Sequence, residues 1–167
     1  PDKFKGSKFY GVELDSLSGN IAKKLYPEAD ISIKGFEEYG ISNNSFDIAI
    51  GNVPFGDFKV ADREYDKNNF LIHDYFFAKT IDKVKTGGVI AFITSSGTMD
   101  KKDESIRRYI GERCELLGAI RLPNNTFKGV AGTEVTSDII FLKKRDSIRE
   151  RDEDWIHLAE DENGLNY

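Results

Sequence analysis

The strongest constraint on the fold is the alternation of short apolar segments with segments of helical periodicity. The predicted strands cover residues 9–13, 31–33, 46–50, 89–93, 116–122 and 135–142, and the predicted helices cover residues 15–25, 70–84 and 103–114. Nearly continuous apolar strands are typical of a parallel sheet that is covered on both faces. No helical pattern separates the last two strands, so we expect them to pair antiparallel. The alternation therefore predicts an α/β fold with an open, doubly wound sheet, mostly parallel with an antiparallel last strand.

Length and charge limit the organisation of the chain. Its 167 residues are enough for one ordinary domain with a hydrophobic core. The net charge is −5, so the chain as a whole repels phosphate and does not have the charge of a stand-alone nucleic-acid binder, although a local basic patch is compatible with it. Beyond Lys143 the sequence becomes strongly charged and loses its periodicity. We therefore predict a domain over residues 1–145, followed over 146–167 by a charged linker or the start of a further region.

Cysteine usage and the chain start bear on localisation. A lone Cys114 excludes a disulfide framework and favours a reducing cytoplasm. No apolar run approaches the roughly 20 residues of a membrane helix, so we expect no membrane partner. The chain begins with Pro1 and without a signal-peptide pattern. We expect it to be a piece of a longer protein.

The sequence has no pattern typical of a metal site. The chain has only two histidines. One of them, His73, precedes Asp74 inside a predicted helix, where adjacent side chains are expected to face apart. We therefore predict no metal site.

The run Asn52-Val53-Pro54-Phe55 directly follows the apolar strand at residues 46–50 and carries the clearest chemistry. The Asn side-chain oxygen and the next backbone carbonyl accept hydrogen bonds from an exocyclic amino group, while the aromatic ring stacks on a flat base. Glu13 ends another predicted strand. Because ligands of open α/β sheets bind outside the carboxyl ends of the strands, both Asn52 and Glu13 are candidate functional residues.

Four stretches around these residues carry a family resemblance. They are Gly11–Asp15, Phe46–Gly56, Phe70–Ser96 and Leu122–Lys144. In these stretches the chain resembles the Rossmann-like, S-adenosylmethionine-dependent methyltransferases that act on amino groups. More narrowly, it resembles N6-adenine DNA methyltransferases with an Asn-Pro-Pro-Tyr/Phe motif, above all the methylase part of the methylase–helicase proteins of phages and conjugative elements. The resemblance implies S-adenosyl-L-methionine as cofactor, DNA as partner and a helicase region in the same full-length chain.

The resemblance assigns the target base to one group of residues. Asn52 and the Val53 carbonyl would hold the adenine amino group, and Pro54 would keep Val53 extended. Phe55 would stack on the flipped base. Phe127, in the loop between the last two predicted strands, corresponds to an aromatic that covers the base from its other side.

The resemblance assigns the cofactor to two further residues. Glu13 corresponds to the acid that binds both ribose hydroxyls, and Phe36 corresponds to an apolar contact with the cofactor adenine. Gly35 stands where the family often has an Asp that holds the adenine amino group. The family's first strand and its Gly-rich turn are missing from this sequence, so we expect the isolated chain to bind cofactor weakly or not at all.

The missing strand would lie between the Glu13 strand and the Asn52 strand in the family. Its loss leaves backbone groups of both strands unpaired. Self-association of the chain, or direct pairing of these two strands, would satisfy those groups.

Two alternatives stay open. The same motif chemistry serves other planar amino groups, namely cytosine N4, guanine N2 of RNA and the amide of a protein glutamine. The departures at Val53 and Gly35 also fit a non-catalytic structural or DNA-positioning module of a larger helicase-like protein.

Overall fold

A computed structural model describes residue 4, residues 6–132 and residues 134–159. The chain forms two compact units, Pro1–Ile41 and Ser42–Tyr167. The first unit contains β1 (Tyr10–Glu13), α1 (Ser16–Leu25) and β2 (Asp30–Ile33). The second contains β3 (Phe46–Asn52), α2 (Ile72–Lys83), β4 (Val84–Ser95), α3 (Gly97–Asp100), α4 (Ser105–Arg113), β5 (Cys114–Leu122), α5 (Lys128–Ala131) and β6 (Ser137–Lys144). Short 3₁₀ turns cover Phe36–Glu38, Asp66–Asn68 and Asp154–Ile156.

The first unit is a β-α-β element with parallel strands. β1 pairs with β2 in register from Tyr10 opposite Asp30 to Glu13 opposite Ile33. Asp15 caps α1, because its Oδ1 accepts a 2.8 Å hydrogen bond from the Ser18 N–H. That hydrogen bond lowers the pKa of Asp15. The predicted strand–helix–strand order of this part is confirmed.

The second unit is built on a four-stranded sheet with the order β3-β4-β6-β5. β3 and β4 are parallel, whereas β6 runs antiparallel to both β4 and β5. The predicted mixed sheet with an antiparallel last strand is therefore confirmed. Because β5 and β4 both oppose β6, the carboxyl ends of β3, β4 and β5 lie at one edge of this sheet, which we call the carboxyl edge.

The core of the second unit lies between one face of the sheet and the helices α2 and α4. Its fully buried side chains include Phe77, Ile81, Ile90, Ile106, Ile110, Ile140 and Leu142. Alternate residues of β4 and β6 supply the sheet side of this core, as the period of a strand requires. Ile48 and Ile50 of β3 are exposed.

β1 and β3 each have one free edge within the described part of the chain. β1 pairs with β2 and β3 pairs with β4, and the two pairs belong to separate sheets. Direct pairing of β1 with β3 is therefore not part of the fold. Self-association stays a prediction.

The helix predicted over residues 70–84 ends for a different reason than the sequence indicated. We expected Gly87 and Gly88 to stop it, but α2 ends at Lys83 and β4 begins at Val84. The glycines lie in a bulge, since the register passes from Phe46 opposite Val84 to Ile48 opposite Val89.

Part of the segment beyond residue 145 packs on α4. Ile156 is fully buried, and the buried Arg107 of α4 donates from Nε to the Ile156 carbonyl over 2.6 Å. Residues 160–167 lie outside the described residues. Nowhere in the described ranges is there a helix with the length and apolar character of a membrane span.

The bulge in β4 gives a test of backbone packing. A Cβ added to Gly88 would lie 2.8 Å from the Asp47 carbonyl oxygen and 2.5 Å from Val84 Cγ1, whereas one added to Gly118 in β5 would meet nothing within 4 Å. We expect Gly88→Ala to lower the free energy of unfolding by about 1–3 kcal/mol, because the backbone must shift. Gly118→Ala should change it by less than about 0.5 kcal/mol. Urea denaturation of both variants makes the comparison, and equal stabilities would contradict the packing argument.

Candidate functional site

The Asn52 side chain stands at the carboxyl edge of the second unit. Asn52 is the last residue of β3, pairs with Ile93 of β4 and is exposed. Within the described part of the chain, neither its side chain nor the Val53 carbonyl accepts a hydrogen bond. Two acceptors at adjacent positions are therefore available to a ligand.

Val53 fixes the position of these acceptors. Its side chain is only 3% exposed and belongs to the hydrophobic core. Its N–H donates to the Ile93 carbonyl over 3.0 Å and so extends the pairing of β3 with β4 by one residue. A proline has no N–H and cannot make this bond. In this chain, burial and a backbone hydrogen bond hold the second motif position.

Pro54 and Phe55 complete the run in different surroundings. Pro54 is exposed, whereas Phe55 is half-buried and packs against the core of the second unit. One part of the Phe55 side chain thus rests on the core while another part reaches the surface.

Phe127 follows β5 and therefore lies on a loop that leaves the same carboxyl edge. Leu122, the last residue of β5, aligns with Ser137 and through it with Ser95 of β4. The Lys128 N–H donates to the Asn125 carbonyl, and Phe127 itself is half-buried. β5 is three strands away from β3, which places the start of this loop about 14 Å across the sheet from the Asn52 strand.

A cluster of ion pairs stabilises the carboxyl edge. The sequence analysis did not predict it. Arg121 of β5 donates to both oxygens of Asp138 over 2.9 and 3.0 Å and to Asp100 over 2.8 Å. These hydrogen bonds raise the pKa of Arg121 above its usual range. Arg121 and Asp138 are cross-strand neighbours. Their opposite charges near the ends of two strands predicted to pair antiparallel were the available signal.

A second buried cluster corrects the expectation for His73 and Asp74. Both side chains are buried at the start of α2, and His73 Nε2 lies 3.4 Å from Asp74 Oδ1, so they do not face apart. Asp74 also accepts a hydrogen bond from Lys101. Burial lowers the pKa of His73, although the Asp74 carboxylate opposes that shift. The described residues hold no group of three or more His, Cys, Asp or Glu side chains placed to bind a metal.

The polar loop over residues 57–69 is attached to α2. Asp62 accepts hydrogen bonds from Tyr75 Oη at 2.8 Å and from Lys79 Nζ at 2.9 Å. Burial alone would raise the pKa of Asp62, but these donors hold it below its ordinary value. Tyr65 is buried and donates to Asp82 over 2.7 Å. These contacts fix the loop that follows the Asn52 run.

Glu13 and Phe36, the predicted cofactor residues, belong to the first unit. Glu13 is half-buried at the end of β1, and its Oε1 accepts a 2.8 Å hydrogen bond from the Asp15 N–H. Phe36 is half-buried and begins the 3₁₀ turn after β2. A Cβ at Gly35 would collide with Glu37 Oε1. The Glu37 carboxylate therefore occupies the space that a side chain at position 35 would fill.

Comparison with known proteins identifies the family. The family model for the Eco57I restriction-modification methylase matches residues 7–127. This range includes the strand end at Glu13, the Asn52 run and Phe127. The chain belongs to the Eco57I restriction-modification methylase family. It is also 32% identical over 145 residues to "Defense against restriction protein B" of Escherichia phage P1, a match that covers 83% of this chain and 6% of the relative.

Solved structures show the same Rossmann-like methyltransferase fold. A putative class I S-adenosylmethionine-dependent methyltransferase from Listeria monocytogenes matches with a TM-score of 0.67 at 19% identity, over 87% of this chain and 47% of that one. The M protein of the type I restriction enzyme EcoKI matches with a TM-score of 0.65 at 18% identity, over 85% and 33%. A modification subunit of a putative type I restriction enzyme from Vibrio vulnificus gives a TM-score of 0.66 at 18% identity, over 83% and 33%. The chain thus spans less than half the length of each of these structures and a small part of the phage relative.

The Val53 hydrogen bond leads to a prediction about the motif. We expect Val53→Pro, which restores a common form of the motif, to destabilise the protein by about 1–3 kcal/mol, because it removes the donor to Ile93 and leaves that carbonyl unpaired. Val53→Ile, which keeps the N–H, is the matched control and should cost less. Thermal or urea unfolding measures both, and a Pro variant as stable as the wild type would contradict the proposed role of the N–H.

His73 leads to a prediction about pH. Its folded-state pKa lies below the ordinary value of 6.5, so the unfolded chain binds the proton first as the pH falls. Stability from this group is present above pH 6.5 and is lost as the pH falls from there toward the folded pKa. His73→Gln should therefore flatten the fall in unfolding free energy below pH 6.5 by up to about 1.4 kcal/mol per pH unit.

The second histidine is the control for this experiment. A hydrogen bond with Asp152 raises the pKa of the exposed His157, so its contribution is present below pH 6.5 and is lost as the pH rises. His157→Gln should change the pH slope in the opposite direction. Urea denaturation between pH 5.5 and 8, a range that brackets about 6.5, compares the variants. Identical slopes for wild type and His73→Gln would refute the assignment.

Proposed function

We propose that this chain is part of an S-adenosylmethionine-dependent DNA methyltransferase that methylates N6 of an adenine flipped out of the duplex. The observation that carries the proposal is the pair of acceptors at the end of β3. Asn52 is exposed beside a Val53 that is locked into the core and bonded to β4. Membership of a restriction-modification methylase family supports DNA as the substrate.

The two acceptors match the chemical difficulty of the reaction. The lone pair of an adenine amino group is delocalised into the ring and is a poor nucleophile. Hydrogen bonds from that group to Asn52 Oδ1 and the Val53 carbonyl draw it toward tetrahedral geometry and free the lone pair. Bound S-adenosylmethionine supplies the methyl group. Transfer would form the N6–C bond as the S–C bond of the cofactor breaks, and the extra proton of N6 would pass to solvent.

The two phenylalanines are proposed to hold the base. The contact of Phe55 with the core supports its role as a platform, because a fixed ring loses little entropy when a base stacks on it. Phe127 would cover the other face. The support for Phe127 is that its loop leaves the same sheet edge as Asn52.

The cofactor is proposed to be held by residues of the first unit. Glu13 keeps one carboxylate oxygen bonded to the Asp15 N–H, which orients its side chain toward accepting ribose hydroxyls with the other. Phe36 would contact the cofactor adenine. Glu37 is an additional candidate for holding the adenine amino group, because its carboxylate fills the space beside Gly35.

The wider setting is proposed from the relatives. The chain would act on DNA in the cytoplasm as the methylase part of a larger protein that also carries a helicase region. The small share of the phage relative that it covers supports a larger protein. The alternative substrates are cytosine N4, RNA guanine N2 and protein glutamine. The alternative role is that of a non-catalytic DNA-positioning module.

The decisive experiment follows labelled methyl transfer by the full-length protein. Incubation with S-adenosylmethionine carrying a labelled methyl group and with duplex DNA should place the label in N6-methyldeoxyadenosine after digestion to nucleosides. Asn52→Ala should lower the transfer rate by about 10²–10³-fold while leaving the protein folded. Asn20→Ala, which removes the amide of an exposed residue on α1, is the control and should leave the rate unchanged.

The product identity separates the alternatives. Label in N4-methylcytosine, RNA or protein would replace adenine as the substrate. Absence of transfer to any of them, together with no cofactor binding in calorimetry, would leave the positioning role and end the enzyme proposal.

A further inference from the structure

A basic pocket lies at the edge of the four-stranded sheet opposite the carboxyl edge. It has a volume of about 280 Å³ and includes Thr86 and Gly87 of β4 in its lining. Its cationic lining residues are Lys143, Lys144, Arg145, Arg149 and Arg151. The chain as a whole has a net charge of −5, so the positive charge of this pocket is opposite in sign to that of the whole chain.

Lys144 and Arg145 have most of their donors taken up by partners. Arg145 forms an ion pair with Glu153. Lys144 donates to the Val84 carbonyl and to Asn44 Oδ1, each over 2.8 Å. These two residues form part of the pocket wall, and few of their N–H donors remain available to a ligand.

The other three cations keep donors without an acidic partner, although Arg149 Nε donates to Ser147 Oγ over 2.9 Å. Within the described ranges, neither Lys143 nor Arg149 is within ion-pair distance of a carboxylate. Arg151 Nε is buried and has no hydrogen-bond partner. A buried N–H without an acceptor is uncommon in a folded protein, and this donor is open to a ligand oxygen.

The two carboxylates of the pocket do not cancel this charge. Glu115 lies opposite Lys143 in the pairing of β5 with β6 but forms no ion pair with it among the described contacts. Asp146 accepts a 2.9 Å hydrogen bond from Ser147 Oγ. The lining therefore carries a net positive charge of three, from five cations and two carboxylates.

We propose that this pocket binds a phosphate group, with Lys143, Arg149 and Arg151 as the ligating residues. Guanidinium groups donate in the forked geometry that suits phosphate oxygens, and Lys adds a mobile charge. The volume is several times that of one water, which is roomy enough for a phosphate or pyrophosphate. Lys143 pairs with Val89, which is four residues along β4 from Ile93, the partner of Asn52, so the pocket begins about 13 Å along the sheet from the Asn52 run. It is therefore distinct from the proposed methyl-transfer site.

Calorimetry and NMR on the 167-residue chain test the pocket directly. Inorganic pyrophosphate should bind and shift the Arg151 Nε–Hε resonance. Arg149→Gln and Lys143→Gln should each weaken the binding about tenfold, since each removes one charge-assisted contact. Both residues are exposed, so neither change removes a core contact. Lys102→Gln removes an equal charge from an exposed residue outside the pocket and should leave the affinity unchanged.

A short DNA duplex distinguishes the source of the phosphate. If the duplex competes with pyrophosphate and its binding also falls in Arg149→Gln, the pocket takes a phosphate of the DNA backbone. If only pyrophosphate binding falls, it takes a free phosphorylated ligand. No binding of either probe, or equal weakening by Lys102→Gln, would overturn the proposal. These outcomes do not depend on methyl transfer, so they leave the proposed function untouched.

Discussion

The parallel pairing of β3 with β4 is the contact on which the rest of the second unit depends. It continues one residue past the strand through the Val53 N–H and the Ile93 carbonyl, and the buried Val53 side chain anchors the chain in the core. The backbone therefore emerges from the sheet at a fixed point. Asn52 is exposed on one side of that anchor, and Phe55 rests on the core on the other. A site that works by positioning needs this rigidity more than it needs a strong base.

Ion pairs to the buried carboxylates of Asp138 and Asp74 hold the segment around α3 against the sheet and α2. Asp100 of α3 bonds to Arg121, which also bonds to the buried Asp138. The next residue, Lys101, bonds to the buried Asp74 of α2. A buried carboxylate is costly unless a cation and hydrogen bonds compensate it. Each of these carboxylates has such a partner, so the pairs fix the segment after β4 in place near the carboxyl edge.

The two edges of the four-stranded sheet differ in their electrostatics. At the carboxyl edge, the cations are committed to neighbouring carboxylates, as Arg121 and Lys101 show. At the opposite edge, Lys143 and Arg149 have no such partner within the described ranges. The net negative charge of the whole chain does not reveal this difference in charge between the two edges. Neutral acceptors suit an amino group at the first edge, whereas unpaired cations suit a phosphate at the second.

Apolar periodicity predicted the order of the strands and of the three longer helices, the antiparallel last strand and the positions of Glu13 and Asn52 at strand ends. Apolar periodicity is a local property, and it correctly indicated the antiparallel return of β6, although the connection contains the one-turn helix α5, which no periodicity predicted. Other features became visible in three dimensions: the Val53 N–H bonds to β4, His73 contacts Asp74, and α2 ends at Lys83. In addition, Lys143, Arg149, Arg151 and Thr86 line one basic pocket. The hydrogen bond of Val53 and the pocket depend on strand register and on residues that meet from distant parts of the chain, and the His73–Asp74 contact depends on their burial. Spacing and composition do not predict such contacts.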